Sequence, residues 1–332
     1  MREPSFWWRD AGIEALALSP FAAAYGAVAG YRMGRRGQSA GVPVICIGNL
    51  TVGGAGKTPT ALAVGRMLIN AGRRVVFLSR GYGGTTTEPL RVDAARHSAA
   101  EVGDEPLLLA QLAPTIVSPD RVAGAAMARA AGASAIVMDD GFQNPSLRKN
   151  ISIVVIDGTR GIGNGRVIPA GPMRAPLPVQ MRSAHALLIL GKPSAQCDRA
   201  IAEAEKRGIP ILQGELEAEA DAVSALAGCR VLAFAGIGNP GKFFATLAEA
   251  GIPAPVTQSF PDHHRYSRAE ADALIARAAR DDLMLVTTEK DLVRIARDPE
   301  VAALAKVTRA LPATLQLDDE DAFRRLLFAK AV

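Results

Sequence analysis

Cysteine is nearly absent. Only Cys46, Cys197 and Cys229 occur in 332 residues, and they stand far apart. They form neither pairs nor a metal-ligand spacing, which excludes a disulfide scaffold and a structural zinc site and suits a reducing compartment. Aromatic residues make up 5% and there are four His. No run of five or six like charges occurs: the net charge of +5 comes from scattered Arg. Such a balance suits an anionic partner, but without clustering it argues against a nucleic-acid role. Internal repeats and low-complexity linkers are absent. The N-terminus lacks the short basic start and A-x-A site of a cleaved signal peptide. What is plentiful is apolar sequence. Hydrophobic residues are 49% and charged residues 21%, enough for a real core. The length suits two domains.

Much of the hydrophobic excess lies near the start. Ala11 to Gly30 reads AGIEALALSPFAAAYGAVAG, polar only at Glu14 and Ser19. Phe6, Trp7 and Trp8 precede it, and Tyr31, Arg32, Arg35 and Arg36 follow, in the manner of interfacial anchors. The stretch approaches the ~20 residues of a bilayer span, but Glu14, Pro20 and much Ala weaken insertion. A helix lying on, or dipping into, a membrane surface is the preferred expectation. A helix packed on the protein's own core is the alternative.

After Gly41 the chain alternates strand, loop and helix. VPVICIG (Val42 to Gly48) is a continuous apolar run, as in a strand buried on both faces. RVVFLS, TIVS, AIVMDD, ISIVVIDG and ALLIL continue the series, with helical stretches between several of them. This order predicts a mostly parallel sheet covered by helices, an α/β fold. The composition turns acidic and Ala-rich around Glu215 to Gly228. A second, smaller α/β lobe is expected from RVLAFAGIG onward. The expected organisation is a membrane-associated helix over 1–36, a nucleotide-binding lobe over 37–222 and a smaller lobe over 223–332.

The sharpest chemical signal is Thr51-Val52-Gly53-Gly54-Ala55-Gly56-Lys57-Thr58, between a predicted strand and a predicted helix. Glycines let backbone N–H groups turn toward phosphate oxygens, and the helix N-terminus adds a positive end. Lys57 would reach the β- and γ-phosphates, and Thr58 would ligate Mg2+. The first position departs from the G-x-x-x-x-G-K-[ST] pattern, being Thr51. Asp139 and Asp140 end AIVMDD, where open α/β sheets bind ligands. Two adjacent carboxylates repel unless a cation is near, which favours a metal role; a helix cap or Asx turn is the alternative.

A proton acceptor is sought among acids and His in loops. Asp262-His263-His264 offers an Asp–His pair, and Gly103-Asp104-Glu105-Pro106 an acidic turn that could equally be a helix cap. The residues alone do not decide between them. Arg80 and Tyr82 of SRGYGG, Arg121 after SPD, and Arg174 in the long Gly/Pro segment GNGRVIPAGPMRAP are candidates for substrate phosphate.

Together these motifs carry a resemblance. PSFWW, IGNLTVGGAGKTP, LSRGYGG, VGDEPLLLA, MDDGFQN, GNGRVIPAGPMRAP, FAGIGNPGKFF, FPDHH and TTEKDLVRI, in this order, resemble the tetraacyldisaccharide 4′-kinase family, the lipid A 4′-kinases of Gram-negative bacteria. The family also has Ser or Thr at the loop's first position. The resemblance implies a two-lobed P-loop kinase peripheral or monotopic on the cytoplasmic face of the inner membrane. It would transfer phosphate from ATP to the 4′-hydroxyl of a lipid-linked glucosamine disaccharide monophosphate, giving lipid IVA. By motif, Asp104 would be the base, paired with His263 across the cleft. Glu105, Asp139 and Asp140 would serve the Mg2+ site, and Arg80, Tyr82, Arg121 and Arg174 the substrate. Ala175, Ser183, His185 and Gly241 depart from the family pattern, which touches the substrate side rather than the nucleotide site.

Two rivals share the loop. A membrane-bound switch ATPase usually carries Lys at the loop's start, where Thr51 stands. A GTPase would carry Asn or Thr directly before Lys290, where Glu289 stands.

Overall fold

Thirteen strands carry the architecture of the computed structural model, which describes residues 3–331, with side chains through Ala329. In chain order they are β1 Val44–Asn49, β2 Val75–Ser79, β3 Leu90–Arg91, β4 Thr115–Val117, β5 Ala135–Asp139, β6 Ile151–Asp157, β7 Ala186–Leu190, β8 Ile211–Ala218, β9 Val231–Ala235, β10 Val256–Ser259, β11 Met284–Thr287, β12 Thr308–Ala310 and β13 Ala313–Leu317. Nine form a sheet ordered β13-β8-β7-β6-β1-β5-β2-β4-β3, and four a second ordered β10-β9-β11-β12.

The inner pairs of the large sheet, from β8 to β4, are all parallel, and β1, β2, β5, β6 and β7 are buried along their whole length. That explains the unbroken apolar runs: both faces are covered. Alternate residues feed two cores. Cys46, Leu78, Met138 and Val154 face one, beneath helices Arg121–Ala130 and Asp198–Glu205. Ile47, Phe77, Val137 and Ile153 face the other, beneath helices Lys57–Asn70 and Glu320–Ala331. Antiparallel edge strands close the sheet, β3 on β4 and β13 on β8.

This last pairing departs from the contiguous 223–332 lobe expected from sequence. The small sheet holds residues 231–310 only. The chain then returns to the large sheet, where Leu315 and Leu317 of β13, and Phe323 and Leu327 of the last helix, join its core. The outgoing and returning strands meet where Glu219 N donates to Pro312 O at 3.0 Å. Apolar burial decides the location: these residues extend the larger core.

The N-terminal segment, described from residue 3, is a 3-10 turn Ser5–Trp8 followed by two α-helices, Ile13–Ala17 and Ser19–Met33. No described helix is long and apolar enough to cross a membrane. Small residues face inward: Ala15, Ala22 and Gly26 are buried, and a Cβ on Gly26 would touch Pro176 at 3.4 Å. Ile13, Leu16, Phe21, Val28 and Tyr31 are exposed. The helix thus packs on the protein by its small face and turns its large apolar side chains outward.

Candidate functional site

The phosphate loop follows β1, the central strand. Gly53 and Gly56 have φ of 91° and 85°, in the region where a Cβ is strained, so the loop needs glycine at both. Gly56 caps the helix that begins at Lys57. The loop is braced by the Gly/Pro segment: Val52 N donates to Pro172 O at 2.9 Å, and Arg174 Nε to Thr51 O at 3.0 Å. Lys57 Nζ folds back onto Gly53 O at 3.3 Å and lies 3.9 Å from Asp140. Gly54 is open, and Ala55 is buried.

Register sets the carboxylates. Ile47 of β1 stands beside Asp139 of β5, so the end of β5 lies level with the loop's entry. Thr58 Oγ1 donates to Asp139 Oδ2 at 3.1 Å, and Asp139 Oδ1 is buried without a partner. Burial, followed by repulsion from Glu105, pushes the Asp139 carboxyl up to about 7. A buried, unsatisfied oxygen beside a hydroxyl and under repulsion from two acids fits a divalent cation. Asp140 is arranged differently. It takes a left-handed φ of 51°, and Arg174 grips it with both Nη groups, at 2.7 and 3.1 Å. Burial opposes its charge, but Lys57 and then Arg174 outweigh burial and hold it at about 2.

Asp104 opens a helix at the break made by Gly103, whose φ is 87°. It is buried, and His263 of the small lobe meets its Oδ2 through Nδ1 at 3.2 Å. Arg294 Nη2 donates to the same oxygen. Burial opposes ionisation, but the His263 hydrogen bond, Lys290 and Arg294 hold the carboxyl well below the usual range. His263 is raised by that same bond, against its burial. Its φ of 55° is left-handed, a strain of the kind stored at functional sites. Lys290 Nζ reaches Glu105 at 2.8 Å. Asp104, Glu105 and His263 offer atoms all within 4.8 Å of one another.

The substrate candidates divide. Tyr82 lies with its ring 5.3 Å from that of His263. Arg121 is buried, donates to Ser118 O, leaves Nε unpartnered, and is lowered to about 10 by burial and then by Arg80. Arg174 is committed to Asp140. Arg80 is exposed and near enough to Arg121 for their charges to repel.

Sequence reasoning missed Asn49, Gln143, Asp291 and Arg294. Asn49 Nδ2 steadies Gly53 O at 3.2 Å, and Gln143 Nε2 holds Asn49 O at 2.7 Å. Asp291 is fully buried; it accepts from Gly236 N, Tyr266 and Thr288 and fixes Arg294 at 2.6 Å. Its i,i+3 spacing to Arg294 in EKDLVRI was a readable signal of one helical face; its target across the cleft was not.

Known proteins share this arrangement. The family model described as Tetraacyldisaccharide-1-P 4'-kinase matches residues 14–331. A tetraacyldisaccharide 4'-kinase of Rhodopseudomonas palustris (strain BisA53) is 54% identical over 330 residues, 99% of this chain and 96% of that one. One from Methylobacterium sp. (strain 4-46) is 54% identical over 323 residues, 97% and 95% of the two chains. The crystal structure of the Aquifex aeolicus enzyme of this family in complex with ATP superposes with a TM-score of 0.73 at 26% identity, covering 96% of this chain and 99% of that one. The chain therefore belongs to the tetraacyldisaccharide 1-phosphate 4′-kinase family, enzymes of lipid A biosynthesis that phosphorylate the 4′-hydroxyl from ATP.

Proposed function

We propose that this kinase transfers the γ-phosphoryl group in line to a lipid disaccharide held between its two lobes at a membrane surface, with Asp104 receiving the hydroxyl proton. The contact between Asp104 and His263 carries the reading, because it joins the two lobes at a buried acid. A carboxylate held this far below its usual range is a weak base. Phosphoryl transfer tolerates this: its transition state is loose, and the hydroxyl becomes strongly acidic only as the new P–O bond forms. Asp104 then orients the hydroxyl early and takes its proton late.

Lys57 and the loop amides bind the phosphates. Mg2+ would be held by Thr58 and Asp139, with Glu105 nearby, and would neutralise charge on the β- and γ-phosphates. The orphaned Asp139 Oδ1 supports this assignment. Asp140, gripped by Arg174 and Lys57, orients the loop's cations. Arg121 and Tyr82 are left to meet the acceptor. The outward side chains of the N-terminal helix and Arg32, Arg35 and Arg36 at its end support docking on an anionic membrane surface.

The test is transfer of labelled phosphate from ATP to the disaccharide monophosphate. Acceptor-dependent turnover is expected. Nucleotide hydrolysis of equal rate without acceptor would favour a switch ATPase, and strict GTP dependence a GTPase.

A further inference from the structure

We propose that Glu3 guards the phosphate loop: residues 3–8 form a strap that lays the Glu3 carboxylate where the terminal phosphate of ATP must enter, so that strap and nucleotide compete. This rests on the loop being the ATP site. A Cβ built on Gly53 would collide with Glu3 Oε1, while Glu3 Cδ and Oε2 would stand farther off, at 3.5 and 3.9 Å. The carboxylate thus points one oxygen at the loop. Gly53 is also the residue whose carbonyl Lys57 Nζ touches at 3.3 Å. That ammonium is the group that reaches the β- and γ-phosphates. A carboxylate beside Gly53 therefore stands by the outermost phosphate. The small lobe reaches the same point: a Cβ on Gly238 would lie 3.5 Å from Gly54 N and 3.4 Å from Asp262 Oδ2.

The strap is held from its far side. Glu3 Oε2 accepts from Trp8 Nε1 at 3.1 Å and from Arg160 Nη1 at 3.3 Å. The Arg160 guanidinium also lies over the Trp8 ring, 4.9 Å from its centroid. Trp7 Nε1 donates to Pro169 O at 2.9 Å, and Asn164 N to Trp7 O at 2.8 Å. Gln196 Nε2 donates to Trp8 O at 3.2 Å. Gly163 makes the seat: its φ is 56°, and a Cβ there would collide with Trp7 O. These bonds fix the aromatic end of the strap and leave the Glu3 end facing the loop.

The contact is of a kind that a nucleotide can displace. Loop amides that draw a phosphate also draw a carboxylate, so Glu3 is a built-in substitute for the ligand. It is a poor substitute. Burial raises the Glu3 carboxyl against the pull of Arg160 and Trp8, and Asp262 raises it further. A triphosphate carries more charge and takes the loop, but a carboxylate left beside its terminal phosphate would repel it. ADP ends one phosphate earlier and is opposed less. Glu3 thereby sets how readily ATP binds, without contact with the acceptor.

Calorimetric titration of the full chain with MgATP and with MgADP, in the absence of acceptor, tests this. Glu3→Gln keeps the side chain's length and an oxygen for Trp8 Nε1 but removes the charge. It should lower Kd for ATP about fivefold and change Kd for ADP by less than about twofold. An ATP Kd that is unchanged or raised in Glu3→Gln would overturn the guard. An equal gain for ADP would overturn it too, because the carboxylate would then not face the terminal phosphate. Lys57→Ala, measured alongside, tests the loop itself and should weaken ATP binding. ATP binding indifferent to Lys57→Ala would remove the loop as the nucleotide site and the guard with it, which tells the two failures apart.

Discussion

At the scale of single residues, the site is a set of opposed charges whose balance comes from the second lobe. Asp104 Oδ2 is shared by His263 and Arg294, and Arg294 is itself fixed by the fully buried Asp291. Arg294 thus acts through Asp104, as a positioning residue. Replacing Arg294 with Gln should lower kcat by ~10–100-fold with KM for ATP little changed, and Lys should restore part of it. A proportionate rise in KM with unaltered kcat would show that Arg294 serves binding instead. Asp104→Asn should lose ~10²–10⁴ in kcat, since it removes the proton acceptor but keeps the shape, and should also lower the melting temperature, since Arg294 and His263 lose their buried counter-charge. Steady-state kinetics beside thermal melts check both, and near-normal turnover of Asp104→Asn would remove it as the base.

At the scale of elements, turns place the chemistry. Gly103 separates helix Ala99–Val102 from helix Asp104–Leu112, and a Cβ there would meet Tyr82 O at 2.6 Å. The same contact sets the SRGYGG turn beside VGDEP. Gly103→Ala should cost about 1–3 kcal/mol of stability and lower kcat, by moving Asp104 and Tyr82 together. Denaturant melts and turnover check this, and a variant of full stability and activity would show that the turn is not strained. Such turns also mark how much of the site the sequence made legible. The buried strands, the glycine loop and Asp139 were readable because each follows from local pattern: apolar runs, positive-φ glycines, a strand-end acid. Asp104 and His263 could not be paired from pattern alone, because 158 residues separate them and the link is tertiary; the family resemblance was needed. The return of β13 to the large sheet was missed for the same reason. Its alternating ATLQL suits either sheet, and the outcome depends on which core has room beside β8.

At the scale of the whole molecule, one end of the chain joins three surfaces. Trp7 Nε1 donates to Pro169 O at 2.9 Å, tying the first turn to the Gly/Pro segment that braces the phosphate loop. The helix that follows packs through Ala22 and Gly26 and turns Phe21, Tyr25 and Val28 outward. Exposed to water, those side chains contribute no burial energy; on the proposed membrane surface they would be buried at about 1.5–3 kcal/mol each. Because the inner face uses only small residues, the outer face can be changed without disturbing packing. The triple variant Phe21→Ser/Tyr25→Ser/Val28→Ser should keep its melting temperature and its kcat on detergent-dispersed acceptor. Its vesicle partition coefficient should fall by more than about a hundredfold, since losing three buried apolar groups at that energy exceeds the 2.7 kcal/mol of a factor near 100. Co-sedimentation with vesicles measures it. Unchanged partitioning would show that these side chains make no membrane contact, and a drop in melting temperature would mean that they pack on the protein after all.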